Sequence, residues 1–160
     1  MSCKLISLDT SSSSTGVAIF IDGILSRHFL IELKKIKNTD DRLKEMVKQI
    51  FSIIEEEHLD IVVTEMTVVT RNAQAQRNLT MILGAIYGKC IDKDIWYHSF
   101  RPTEWRSQID TTRKPNGRKR EDYKEWSCKV VEDMYGFTVN DDVSDAILLG
   151  RAYVNKFSKE

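Results

Sequence analysis

Two short, almost wholly apolar runs each stop at an acid, and an acidic pair opens the last helical segment. Leu5-Ile6-Ser7-Leu8 ends in Asp9, and Ile61-Val62-Val63-Thr64 ends in Glu65. Asp142 and Asp145 lie three apart in Asn140-Asp141-Asp142-Val143-Ser144-Asp145-Ala146. Short apolar runs of this kind read as buried strands. Carboxylates at strand ends and at a helix start can meet at one spot although they are far apart in the chain. Four converged carboxylates repel one another unless cations sit between them. Hard cations with oxygen ligands, Mg²⁺ first with Mn²⁺ as its substitute, suit such a site, and its chemistry is phosphoryl chemistry.

The remaining pattern supplies a frame for those acids. Residues 4–10 and 14–21 read as strands, Asp22-Gly23 as a hairpin turn, and 24–33 as a third strand antiparallel to the second. A helix capped by Thr39 or Asp40 runs to about His58, with Leu43, Met46, Val47, Ile50, Ile53 and Ile54 at helical spacing. Residues 59–64 form a short parallel strand, 66–71 a loop, 72–91 a helix and 94–98 a fifth strand. A short helix over 102–108 starts at Pro102, and 109–117 is a basic loop. Helices over 118–135, ended by Gly136, and over 141–157 complete the chain. The order β-β-β-α-β-α-β-α-α predicts an α/β fold in one domain over 1–160. Its sheet is five-stranded and mixed, three antiparallel strands followed by parallel ones, flanked by helices. In this order the ends of strands one and four lie side by side, Asp9 next to Glu65.

Charge narrows the partner. The 24 basic and 24 acidic residues cancel, but they are not evenly spread. The segment 101–120 holds seven basic residues, Arg101, Arg106, Arg113, Lys114, Arg118, Lys119 and Arg120, against Glu104 and Asp110. A basic patch facing an acidic metal site suits a nuclease, although a solvated loop and helix start is the plainer reading. Arg118-Lys119-Arg120 sits unfavourably near a helix N-terminus, and a phosphate partner would relieve that conflict. Three cysteines, an odd count without metal-ligand spacing, point to free thiols, a reducing cytoplasm and small buried side chains. No apolar stretch reaches the ~18 residues that span a bilayer, and the first residues do not resemble a signal peptide.

Each motif has a competing reading. Asp9-Thr10-Ser11-Ser12-Ser13-Ser14-Thr15-Gly16 turns the chain with hydroxyls that satisfy its backbone. An acid, a Ser/Thr turn and Thr-Gly also open sugar kinases and actin-like ATPases, where the turn holds nucleotide phosphates. A phosphotransferase is therefore an alternative, and a catalytically inactive binding protein is a third reading. Glu65 at a strand end is ordinarily just solvated, but the carboxyl ends of parallel strands are where ligands bind. Capping accounts for one of Asp141 and Asp142 but not for Asp145, which precedes Ala146-Ile147-Leu148-Leu149. Asp141, four residues before Asp145, rivals Asp142 as its partner. In the helix over 72–91, Leu79, Ile82, Leu83 and Ile86 face the core. Met81, Gly84, Ala85 and Gly88 make a small-residue face for a second subunit or for further core packing. Trp105 packs under the basic patch or into the core.

Taken together, these residues resemble the RuvC-type Holliday junction resolvases of the RNase H-like superfamily, most of all those carried by phages of Gram-positive bacteria. The resemblance runs nearly end to end. It rests on Asp9 through Gly16, on Glu65, on Arg71-Asn72-Ala73 leading into the next helix, and on Asp142-Val143-Ser144-Asp145-Ala146. It implies an RNase H-like fold, a homodimer, two divalent ions held by Asp9, Glu65, Asp142 and Asp145, and strand cleavage at four-way DNA junctions in the cytoplasm, the host's if the gene is a phage's. Asp9 would bridge the ions, Glu65 and Asp142 would hold one each, and Asp145 would complete the shell. Arg71, Arg113, Lys114, Arg118, Lys119, Arg120 and Lys124 are the candidates for DNA contact. Bacterial relatives carry an aromatic after the second acid that stacks at the junction centre. Here Met66-Thr67-Val68-Val69-Thr70 has none. Met66, Val68 and Val69 remain junction-loop candidates, and a preference for branched structure over sequence follows.

Overall fold

In the computed structural model, which describes residues 1–158, five strands form one sheet. In chain order these are β1 (Lys4–Asp9), β2 (Ser14–Ile21), β3 (Ile24–Glu32), β4 (Ile61–Glu65) and β5 (Trp96–Phe100). The sheet order is β3-β2-β1-β4-β5. The first three strands are mutually antiparallel, and β4 and β5 join β1 in parallel. Helices α1 (Thr39–Glu57) and α2 (Ala73–Asp92) cover one face. The short α3 (Pro102–Ser107), α4 (Arg120–Tyr135) and α5 (Asp141–Phe157) cover the other.

Strand periodicity decides which face each side chain serves. In β1, Ile6 and Leu8 join the core under α1 and α2, and Leu5 joins the core under α5. Asp9, at the same parity as Leu5 and Ser7, falls on the α5 face. In β4, Val62 lies on the α1/α2 side and Val63 on the α5 side, so Glu65 takes the α5 face too. The parallel register sets Leu8 beside Thr64, which brings the two acids level at the carboxyl edge of the sheet.

Helix α5 lies almost on the backbone of β1 and β2. The buried Ser7 Oγ donates to the Ala146 carbonyl at 2.6 Å. A Cβ on Gly150 would fall 2.3 Å from Phe20 Cε2 and 2.6 Å from Ser7 Oγ. Small residues at 146 and 150 thus let the helix sink onto the sheet while Ile147, Leu148 and Leu149 bury fully around it. Each such side chain contributes up to about 1.5–3 kcal/mol of apolar burial.

Several local expectations shift. Asn38, not Thr39 or Asp40, caps α1, its side chain accepting from Asp41 N at 3.0 Å. Helix α4 starts at Arg120 rather than 118, because the Asp122 carboxylate accepts from Lys119 N at 2.9 Å and makes Lys119 the cap. Strand β5 starts two residues late. Asp94 takes a left-handed φ of 56°, and Ile95 N still bonds to the Cys90 carbonyl, so the ladder begins only at Trp96 opposite Ile61. Of the cysteines, Cys90 alone is fully buried and Cys3 is exposed; all three are free thiols. On α2 the core takes Asn78, Ile82, Ile86 and Cys90, whereas Met81, Gly84 and Gly88 are exposed and Ala85 is half-buried, so most of that face lies outside the core. Among the described residues no helix is long and apolar enough to cross a membrane.

Candidate active site

The structure brings Asp9, Glu65, Asp142 and Asp145 to one edge of the α5 face. Asp9 ends β1, Glu65 ends β4, and the other two occupy the first turns of α5. Asn140 caps α5, accepting from Val143 N at 2.9 Å. Gly16, opposite Asp9 in the β1/β2 ladder, is what lets this helix end approach. A Cβ there would fall 2.0 Å from the Asp142 carbonyl oxygen and 2.4 Å from its carbon.

Three of the four carboxylates have a donor of their own nearby. Trp105 Nε1 donates to Glu65 Oε2 at 2.5 Å, and Ser14 Oγ donates to Asp142 Oδ2 at 2.8 Å. The Ser127 hydroxyl, buried on α4 and without a well-formed hydrogen bond, lies beside Asp145 and favours its ionised form. The turn between β1 and β2 uses its hydroxyls internally. Ser11 Oγ donates to the Ser14 carbonyl at 2.7 Å and accepts from Ser14 N at 3.0 Å. Ser14 Oγ is committed to Asp142 and Ser11 Oγ to the turn backbone, so neither is free to hold a nucleotide phosphate.

Burial dominates the electrostatics, and crowding of charge adds to it. Burial pushes Asp9 well above the usual carboxylate range, and the charges of Asp145, Glu65, Asp142 and Asp141 add to the rise in that order. Burial also pushes Asp145 up to about 7, with Glu65 and Asp141 adding and the Ser127 hydroxyl and Arg106 opposing. Glu65 is raised by burial and partly restored by the Trp105 indole and by Arg106. Asp141 differs. Burial raises it, but the Lys124 ammonium, 2.9 Å from Oδ2, more than compensates and leaves it below its ordinary value. Among the described residues no three Asp, Glu, His or Cys side chains already form a closed ligand set. The acids are neighbours, and Glu65 and Asp142 are each turned toward a separate donor. A buried all-oxygen donor set in which neighbouring carboxylates raise Asp9 and Asp145 fits a divalent cation, which would remove that repulsion.

The basic candidates divide. Arg71 is exposed between β4 and α2, and Lys114 and Arg118 are exposed in the loop before α4. Lys119 caps α4 and Arg120 begins it, near enough to Asp141 to lower its pKa. Arg113 is engaged otherwise. Its Nε and Nη2 donate to Asp133 at 2.7 and 3.1 Å, and its carbonyl accepts from Trp126 Nε1 at 2.9 Å, so it roots the loop. Lys124 is occupied by Asp141. Met66, Val68 and Val69 are all exposed in the loop that leaves Glu65, Val69 by 92%.

Sequence reasoning did not nominate Arg106. Its guanidinium carbon lies 4.2 Å from the Tyr123 ring centroid and 5.2 Å from that of Trp105, and its Nε is buried without a partner. It is the cation that opposes the pKa rise of both Glu65 and Asp145. The usable signal was topological: α3 follows β5, and Phe100 of β5 pairs with Glu65.

No protein-family model and no curated protein sequence matches this chain. Solved structures do. Thermus thermophilus RuvC in complex with Holliday junction substrate superposes with a TM-score of 0.73 at 10% identity, covering 96% of this chain and 93% of that one. Fowlpox virus resolvase with its substrate Holliday junction DNA gives 0.64 at 15%, covering 98% and 99%. The yeast mitochondrial Holliday junction resolvase Ydc2 gives 0.60 at 13%, covering 96% and 78%. At these identities the likeness establishes architecture, and the mixed five-stranded sheet with its flanking helices is the RuvC-like form of the RNase H-like fold.

Proposed function

We propose that this protein is a metal-dependent endonuclease that cuts branched DNA, four-way junctions foremost, as the resolvases carried by phages of Gram-positive bacteria do. The observation that carries the reading is the convergence of Asp9, Glu65, Asp142 and Asp145 at the carboxyl edge of the sheet, with mutual repulsion that a divalent cation would relieve. The engagement of Asp141 with Lys124 and of Asp142 with Ser14 supports Asp142 as the third ligand. Asp9 would be shared between two Mg²⁺ or Mn²⁺ ions, Glu65 and Asp142 would hold one each, and Asp145 would complete the set. When bound, the cations supply Lewis acidity at the scissile phosphate and an activated water.

The chain's own residues do the rest. Arg106, half-buried between two aromatic rings, brings a fixed positive charge beside Glu65 and Asp145, where phosphate charge would build. Lys114, Arg118, Lys119 and Arg120 present a basic strip for phosphates, and Arg71 flanks the opposite loop. The exposed apolar tip at Met66, Val68 and Val69 can contact an opened junction by shape. The exposed Met81-Gly84-Gly88 face of α2 supports a homodimer whose two sites would cut two opposed strands.

The test is incubation of a labelled four-way junction and of the same sequence as linear duplex with Mg²⁺, Mn²⁺ or EDTA. Paired, cation-dependent nicks with 5′-phosphate ends in the junction alone are expected. Equal cutting of duplex would remove the structural preference, and tight junction binding without any cutting would leave a binding protein.

A further inference from the structure

Trp105 is a core residue by burial, 1% exposed, yet its one polar atom is turned to the carboxylate site. Core packing alone does not call for an indole, and a buried indole N–H requires an acceptor. Here the acceptor is an acid, which makes the contact a charge-assisted hydrogen bond. The ring is held on two sides. Trp126 tilts against it at 6.4 Å between centroids, and the Arg106 guanidinium sits 5.2 Å from its centroid. Its helix is held as well. Lys156 of α5 pairs with Glu104 at 2.8 Å, and Asn155 Nδ2 donates to the Gln108 carbonyl at 2.9 Å. The donor is therefore fixed relative to α5, which carries Asp142 and Asp145, while Glu65 belongs to the sheet.

We propose that Trp105 is a positioning residue for the cation site: its N–H pins one oxygen of Glu65 and leaves the other to face the cation. The inference rests on the divalent-ion reading above. A carboxylate at a strand end, with two free side-chain torsions beyond Cβ, would otherwise lose rotamer freedom when it binds a cation. A preset donor removes part of that cost. Partners that orient metal ligands in this way change metal affinity by about 10–100-fold when deleted.

The experiment is calorimetric titration of Mn²⁺ into the metal-free protein without DNA, for the natural chain, Trp105→Phe and Trp126→Phe. Both variants remove an indole from the same core layer, but the Trp126 N–H serves the Arg113 carbonyl and not Glu65. Mn²⁺ affinity is expected to fall about 10–100-fold in Trp105→Phe and by far less in Trp126→Phe. Equal losses in both would make Trp105 merely structural and overturn the proposal, as would no loss in Trp105→Phe. If that variant does not fold, the natural chain decides. Its three tryptophans give three indole N–H resonances in a ¹⁵N spectrum, and that of Trp105 is the one lost in neither Trp96→Phe nor Trp126→Phe. It is expected to move with added Mg²⁺ at the midpoint found by a parallel calorimetric titration of Mg²⁺, and a stationary resonance overturns the proposal. A natural chain that binds no cation would instead remove the divalent-ion reading itself, together with this inference.

Discussion

Replacing Asp145 with Asn should make the metal-free protein more stable while abolishing its cutting, and the gain should depend on pH in a specified direction. The Asp145 carboxyl has an ordinary value of 3.8 and is pushed up to about 7 in the fold, by burial first and then by Glu65 and Asp141. In the unfolded chain it ionises near its ordinary value. Between roughly pH 4 and pH 7 the native state therefore holds a proton that the unfolded state has released, and stability falls as pH rises through that window. Above about 7 the full cost of the buried charge is present. At about 1.4 kcal/mol per tenfold, the interval from 3.8 to about 7 sets a ceiling of about 4 kcal/mol. Asn is neutral in both states, so it escapes the cost of the buried charge. Burying the polar amide in place of the carboxyl takes up part of the gain, which leaves roughly 1–3 kcal/mol.

Urea unfolding in EDTA at pH 4.5 and pH 8 measures this directly. The variant should exceed the natural protein by about 1 kcal/mol at most at the lower pH and by clearly more at the higher. Mg²⁺ should reverse the order at pH 8, since a cation that binds the folded state stabilises the chain with all four acids more. Junction binding should survive the substitution. An advantage of equal size at both pH values would refute the reasoning, because it would come from packing and not from charge. A variant less stable than the natural protein at pH 8 without metal would show that the acids do not crowd one another as described.

Four further outcomes follow from particular contacts. Gly16→Ala places a Cβ 2.0 Å from a backbone oxygen of Asp142, which cannot rotate away; it should cost about 1–3 kcal/mol in urea unfolding and weaken Mn²⁺ binding by displacing the start of α5. The triple change of Arg118, Lys119 and Arg120 to Ala should flatten the slope of log affinity against log salt for junction DNA by roughly 2–3. Arg113→Ala, whose guanidinium is already spent on Asp133, should leave that slope unchanged and lower the melting temperature instead. Gly84→Glu, at a face where an added Cβ meets nothing within 4 Å, should fold normally yet sediment as a monomer, and a dimer of unchanged affinity would remove α2 as the interface.

What could be read in the chain and what could not divide along a physical line. Period two carries Leu5, Ser7 and Asp9 to one face of β1, and Ile61, Val63 and Glu65 to the same face of β4, so the meeting of two distant acids follows from backbone geometry once β1 and β4 are neighbours. Asp142 and Asp145 join them because i and i+3 share a helix face. These placements need no knowledge of side-chain packing. The donors that hold the carboxylates do need it. Nothing in Pro102-Thr103-Glu104-Trp105-Arg106 says that Trp105 turns inward with its N–H on Glu65, or that Arg106 lies across Tyr123, because both depend on how α3 and α4 settle against the sheet. The same holds for Arg113, counted with the basic strip until its carbonyl and guanidinium are found to anchor the loop. The late start of β5 is a smaller instance: the left-handed Asp94 keeps the chain on the end of α2 for two residues beyond the apparent apolar run. Local pattern therefore identifies the groups that would bind a cation, while tertiary contacts identify the groups that aim them. An acid swap tests only the first kind of knowledge; Trp105→Phe, which leaves every acid in place, tests the second.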